Sequence, residues 1–292
     1  MAKLSCLVIS LLSILTIVRG HGYVQQITAG STVWTGYLPY TDPYYNPPPQ
    51  RIVRAIPGNG PITDLSLIDV QCNGWSDGGV IGSTPAPLVA TVAAGTTLGL
   101  NWTTWPDSHV GPMITYMALA PTDITKWQPG NAAVWFKVAQ SGKTAAGLWA
   151  ATDLLTASNS VYSFTIPAKL KAGQYIIRHE IIALHSAFEY PGAQVYPSCI
   201  QVQVTGSGTA VPPASSMERT LQQLQVRANS YSYSSHELTH TNVLLQELFT
   251  MSTPILACVP PPCFTFLNNL LKAVDLPGLS DSWPGCVSRL TP

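Results

Sequence analysis

Charge is the scarcest property of this 292-residue chain. Only 10% of its residues are Asp, Glu, Lys or Arg, and 14 acidic residues cancel 14 basic ones. Without a basic stripe or an acidic block, neither nucleic acid nor another polyanion is an expected partner. Carboxylates are also poorly placed for glycoside hydrolysis, which needs two of them flanking the scissile bond. Asp107 and Glu180 are available, but no spacing pairs them, and on a strand Glu180 faces away from His179 and His185. Long apolar runs are missing except for one, Leu4 to Val18, which is shorter than the ~20 residues a bilayer requires. Lys3 precedes that run, and the small residues Val18 and Gly20 close it. Residues 1–20 therefore read as a secretory signal peptide, leaving an extracellular protein with no membrane attachment. Cysteine is sparse as well. Of six, Cys6 departs with the leader, so Cys72, Cys199, Cys258, Cys263 and Cys286 remain, an odd number for an oxidising compartment.

Short β-type runs are abundant. "TTLGLNWTTW", "PMITYMALA", "AAVWFKV", "VYSFTIP", "GQYIIRHEIIALHSA" and "CIQVQVTG" are β-branched or aromatic, and Gly, Pro, Asn or Ser bound them. Such punctuation, with 25 Pro and 22 Gly in the chain, predicts an all-β, two-sheet sandwich over residues 21–205. "GYLPYTDPYYNPPPQ" reads as an ordered surface loop within it. After "VTGSGTAVPPASS" the texture changes to short helix-like patches between prolines, so 206–292 forms a separate, poorly specified tail.

Within "IVRGHGYVQQ", cleavage after Gly20 would make His21 the first residue. An N-terminal histidine offers its α-amine and a ring nitrogen to the same metal ion, and the amine gives up its proton at modest cost. Nitrogen-rich tetragonal sites favour Cu(II). "NWTTWPDSHVGPMITYMA" puts His109 on a loop between two strands, and "RHEIIALHSA" contributes His179 and His185. In "AQVYPSCIQVQV", Gln194 and Tyr196 are two apart and share one strand face. Three nitrogens from His21 and His109 with an axial phenol would make a T-shaped copper site. Each of these residues, taken singly, also reads as an ordinary structural residue.

"HGYVQQI", "WTTWPDSHVGPMITYMA", "YIIRHEIIALHSA" and "GAQVYPSCIQVQVTG", in that order, resemble the fungal lytic polysaccharide monooxygenases of auxiliary activity family nine. The resemblance covers about residues 21–205 and implies an immunoglobulin-like or fibronectin III-like β-sandwich with long surface loops and a flat copper face. It implies copper on His21 and His109 with Tyr196 axial, His185 and Gln194 as catalytic neighbours, and a Cys72–Cys199 disulfide. A neutral His185 would donate a proton or orient a peroxide, while Gln194 limits where oxygen species sit. The implied reaction is oxidation at C1 or C4 of cellulose or a related β-1,4-glucan by a monomer. It would use O2 or H2O2 and an electron donor such as ascorbate, phenols or cellobiose dehydrogenase. Matching the family's loop puts its substrate-facing tyrosine at Tyr44, although the same ring would serve to pack a proline-rich loop. Asn101 heads an "NWT" glycosylation sequon whose strand position works against use.

Two other classes remain. One is a non-catalytic copper- or glucan-binding protein of the same fold. The other is a zinc peptidase, because "HELTH" (His236, Glu237, His240) has the zincin spacing. The "NSYSYSS" before it lacks the apolar face a core helix needs, and no third ligand pattern follows. The tail is accordingly expected to be disordered or marginally packed, with no structural zinc.

Overall fold

The described residues form nine strands, and the six quoted β-type runs supply the last six of them. The nine are β1 (Val24–Ala29), β2 (Thr32–Thr35), β3 (Ala90–Ala93), β4 (Thr97–Trp102), β5 (Met113–Leu119), β6 (Phe136–Ser141), β7 (Val161–Thr165), β8 (Gly173–Ala183) and β9 (Gln194–Thr205). The structure is a computed structural model and describes residues 21–76, 82–188 and 191–213. The expected signal peptide, "HELTH", Cys258, Cys263, Cys286 and nearly all of the tail lie outside the described residues.

The strands form two sheets, ordered β2-β1-β4-β7 and β3-β9-β8-β5-β6. The expected sandwich is therefore the fold. Its core is what alternation produces when two sheets face each other. Val24, Ile27, Leu98, Leu100 and Phe164 from the first sheet meet Met113, Met117, Tyr175, Ile177, Ile181, Ile200 and Val202 from the second. His179 lies on the same inward face of β8 as Ile177 and Ile181, fully buried. Its Nε2 accepts a hydrogen bond from Trp102 Nε1 of the opposite sheet at 3.3 Å, so its Nδ1 carries the proton and donates to Thr115 Oγ1 at 2.9 Å. A polar bridge thus crosses an apolar core with both of its ring nitrogens satisfied.

The outward face of β8 and β9 is buried too, because long loops cover it. Arg178 and Glu180 point outward from β8 and pair bidentately at 2.8 and 2.6 Å. The same guanidinium donates to the carbonyls of Gln71 and Val70 at 2.9 and 2.7 Å and lies over the Tyr116 ring. Cys199, register partner of Arg178, forms a disulfide with Cys72 across a sequence separation of 127. Two hydrogen bonds from Arg178 and one covalent bond therefore fasten the loop around residue 71 to the centre of the second sheet.

The loop read as ordered from "GYLPYTDPYYNPPPQ" contains one short helical turn, Asp42–Tyr44. Buried Asp42 holds it, accepting from Arg51 Nε and Nη2 at 2.8 Å each and from the Leu38 backbone N–H at 3.1 Å. Past Thr205 the chain stays attached for a few residues. Ala210 bridges to Leu170, donating to the Lys169 carbonyl and accepting from the Lys171 N–H.

Candidate metal centre

Strand register gathers the candidate residues at one end of the sandwich. His21 immediately precedes β1, His109 precedes β5, and His185 follows β8. Gln194 starts β9 opposite Ala183, the last residue of β8, and Tyr196 is two positions further along. Backbone bonds draw the loops together: Leu184 N–H donates to the Val110 carbonyl and Ile182 N–H to that of Pro112. Gly111 is what allows this approach, since a Cβ there would lie 1.9 Å from the Ile182 carbonyl oxygen. Gly22 plays the same part beside His21, where a Cβ would stand 2.9 Å from Thr103 Oγ1 and 3.0 Å from the Trp105 ring.

The rings then meet. His21 lies 5.6 Å from His109, nearly perpendicular, and 5.9 Å from Tyr196 between centroids. His185 stacks on His109 at 3.7 Å. Tyr196 donates its phenolic proton to Gln194 Oε1 at 2.7 Å. Trp105 packs edge-on against both His109 and Tyr196, and its Nε1 donates to the His109 carbonyl at 3.0 Å. Neither Trp105 nor Ser108 was singled out from sequence, although both lie within the quoted His109 segment. A tryptophan four residues before a loop histidine was the available signal.

Protonation follows from this environment. Burial, then the nearby His185 and His21 rings, push His109 down to about 4. Burial and His21 push His185 down as well, and burial raises the Tyr196 phenol. At neutral pH the two stacked imidazoles are neutral and the phenol keeps its proton. Ser108 Oγ occupies His109 Nδ1 at 3.0 Å. His109 Nε2 is buried with no protein partner among the described residues. In the tautomer whose Nδ1–H donates to the Ser108 hydroxyl, Nε2 presents a lone pair, the state a metal needs. Among the described residues no three His, Cys, Asp or Glu side chains group to hold an ion, so a metal bound here would need donors of other kinds as well.

A model of Auxiliary Activity family 9 (formerly GH61) matches residues 21–239. The chain belongs to Auxiliary Activity family 9. The match runs past residue 205, where the sequence resemblance stopped, into the segment read as tail. An AA9 family lytic polysaccharide monooxygenase B from Gloeophyllum trabeum is 58% identical over 201 residues, 68% of this chain and 78% of its own. An AA9 family lytic polysaccharide monooxygenase F from Botryotinia fuckeliana is 56% identical over 209 residues, 70% of this chain and 83% of its own. The extended catalytic domain of H. jecorina LPMO9A superposes with a TM-score of 0.61 at 31% identity, covering 69% of this chain and 79% of that one. A cellulose-active polysaccharide monooxygenase from M. thermophila superposes at 0.56, with 30% identity over 68% of this chain and 84% of that one. As a family 9 member, the chain is an oxidoreductase, a copper-dependent polysaccharide monooxygenase.

The remaining candidates fall in different places. Tyr44 is 83% exposed, so its ring is free of the proline-rich loop around it. Asn101 sits mid-sheet on β4 between β1 and β7, half-buried, with its Oδ1 accepting from Gln25 Nε2 at 3.3 Å. Glu180, one of the two carboxylates weighed for hydrolysis, is fully buried and committed to Arg178, while Asp107 is exposed on the His109 loop. His179 is a core residue and stands apart from the cluster.

Proposed function

We propose that the mature protein is a secreted monooxygenase, beginning at His21, that oxidatively cleaves the β-1,4 bonds of cellulose. The observation that carries this reading is the convergence of the His21, His109 and Tyr196 rings, with His109 Nε2 buried and without a hydrogen-bond partner among the described residues. These donors fit copper. The α-amine and ring of His21 and Nε2 of His109 would hold it, with the Tyr196 phenol beside them. Copper bound there would supply one-electron chemistry between Cu(II) and Cu(I), with ascorbate, a phenol or cellobiose dehydrogenase as the electron donor and O2 or H2O2 as oxidant.

The chain's own groups have separate tasks. Tyr196 stays protonated because it is buried, and its proton is committed to Gln194. Gln194 consequently keeps its amide N–H groups available to meet an oxygen species arriving at the same edge. Neutral His185 is half-buried against His109 and can donate or relay a proton there. The exposed Tyr44 ring offers an apolar face to a pyranose ring, the contact expected of a site acting on a polymer surface.

The deciding experiment compares the protein beginning at His21 with one carrying an extra residue before it. The extension converts the amine to an amide, so Cu(II) affinity should collapse and the EPR spectrum change. Unchanged affinity would remove the site as drawn. Copper-loaded protein given cellulose and ascorbate should release aldonic acids or C4-ketoaldoses. Unmodified sugars would mean hydrolysis, and no products a binding protein.

A further inference from the structure

His21 is the ligand most in need of support. A residue that begins a chain is tied only from its C-terminal side, and termini fray unless something holds them. Gly22 packs against Thr103 and Trp105, and Tyr23 exchanges hydrogen bonds with Thr103, its N–H reaching Oγ1 at 3.2 Å while Thr103 N–H donates to its carbonyl at 3.0 Å. These contacts fix the chain after His21 but leave the His21 carbonyl unaddressed.

Among the described residues that carbonyl has one side-chain partner. Asn59 Nδ2 donates to it at 3.3 Å from a loop 38 positions away in sequence. The orientation of the Asn59 amide is itself determined. Asn59 N–H donates to the Tyr40 hydroxyl oxygen at 3.1 Å, so the hydroxyl proton is directed to Asn59 Oδ1, at 2.6 Å. With Oδ1 taken, only the NH2 group is left to face the His21 carbonyl, which can only accept. Tyr40 lies on the loop that the Asp42–Arg51 pair anchors, and the chain at Gly58 approaches its hydroxyl so closely that a Cβ would stand 3.1 Å away. The linkage therefore runs from a fixed loop, through two side chains, to the backbone of the first residue.

We propose that Asn59 is a positioning residue for His21, with Tyr40 setting the direction in which the Asn59 amide points. Holding the carbonyl stops rotation about the His21 Cα–C bond, so the amine and the ring face the His109 side together. The consequence for copper rests on the site proposed above; the tethering of His21 does not.

The test uses the full secreted chain beginning at His21, as parent, Asn59→Leu and Tyr40→Phe. Two quantities are read in the copper-free and copper-loaded protein respectively: the rate at which an aminopeptidase removes His21, followed by mass spectrometry, and the Cu(II) dissociation constant with the EPR spectrum. Asn59→Leu should be trimmed about two- to tenfold faster and bind Cu(II) weaker by a similar factor, the worth of one hydrogen bond. Its copper-free melting midpoint should stay within about 2 °C of the parent. Tyr40→Phe should shift both quantities in the same direction by less. Parental trimming and affinity in Asn59→Leu overturn the proposal, as does a lowered midpoint with both unchanged, which is what a merely structural role predicts. Faster trimming in a parent series that binds no copper would support the tether while removing the metal site.

Discussion

Replacing Glu180 with leucine should be the most damaging single change on the outer face of the second sheet. Its carboxylate meets the Arg178 guanidinium through two bonds of 2.8 and 2.6 Å, with the two side chains only 0% and 3% exposed. Removing one partner of such a pair leaves the other charge buried and uncompensated, which costs about 3–5 kcal/mol. Arg178 cannot relax outward to water, because two further donors are bonded to the Val70 and Gln71 carbonyls and its plane covers Tyr116. For a domain of this size each kcal/mol lowers the melting midpoint by roughly 2–4 °C, so the expected drop is about 6–20 °C. Calorimetry on copper-free protein is the appropriate assay, since a bound metal would raise every midpoint by mass action. The double replacement Arg178→Met with Glu180→Leu should melt above the Glu180→Leu single variant, because no lone charge remains. Two results would refute the reasoning. One is a Glu180→Leu midpoint within about 2 °C of the parent. The other is a parental midpoint with abolished turnover, the signature of a catalytic carboxylate.

Cys72→Ser with Cys199→Ser should cost up to about 5 kcal/mol by the chain-entropy argument for a loop of this length, and a reductant should bring the parent's urea midpoint toward that of the variant. His179 gives a pH dependence. Burial, then Arg178, depress its folded pKa to about 3, below the ordinary ~6.5 of the unfolded chain. The unfolded state therefore binds the proton first, and stability that is complete above pH ~6.5 erodes as the pH falls toward 3, by about 3 kcal/mol at pH ~4.5. Urea titrations at neutral pH and pH ~4.5 should show a smaller loss for His179→Gln than for the parent. His185→Ala and Gln194→Ala should each lower oxidative turnover about tenfold or more while leaving the Cu(II) dissociation constant within about threefold, by calorimetric titration. Loss of copper binding in His185→Ala would make it a ligand instead.

The sequence by itself determined the elements and the chemistry carried on single segments. The runs from "TTLGLNWTTW" to "CIQVQVTG" became strands where β-branched residues and turn signals put them, because local sterics and alternation need no distant information. His109, His185, Gln194 and Tyr196 became candidates by another route, each lying inside a segment that resembles the family's. Contacts between loops far apart in sequence were beyond that reach. Asn59 meets His21 across 38 positions, Trp102 meets His179 across 77, and Arg178 meets Val70 across 108. No periodicity encodes such pairs, since they depend on which loop lies over which sheet face. Glu180 illustrates the difference. Its strand phase, facing away from His179, followed from sequence, but its commitment to Arg178 depended on a loop closing over the outer face of β8 and excluding water. Only there is the local dielectric low enough to make one carboxylate decisive for stability, and that is a property of the packed layers.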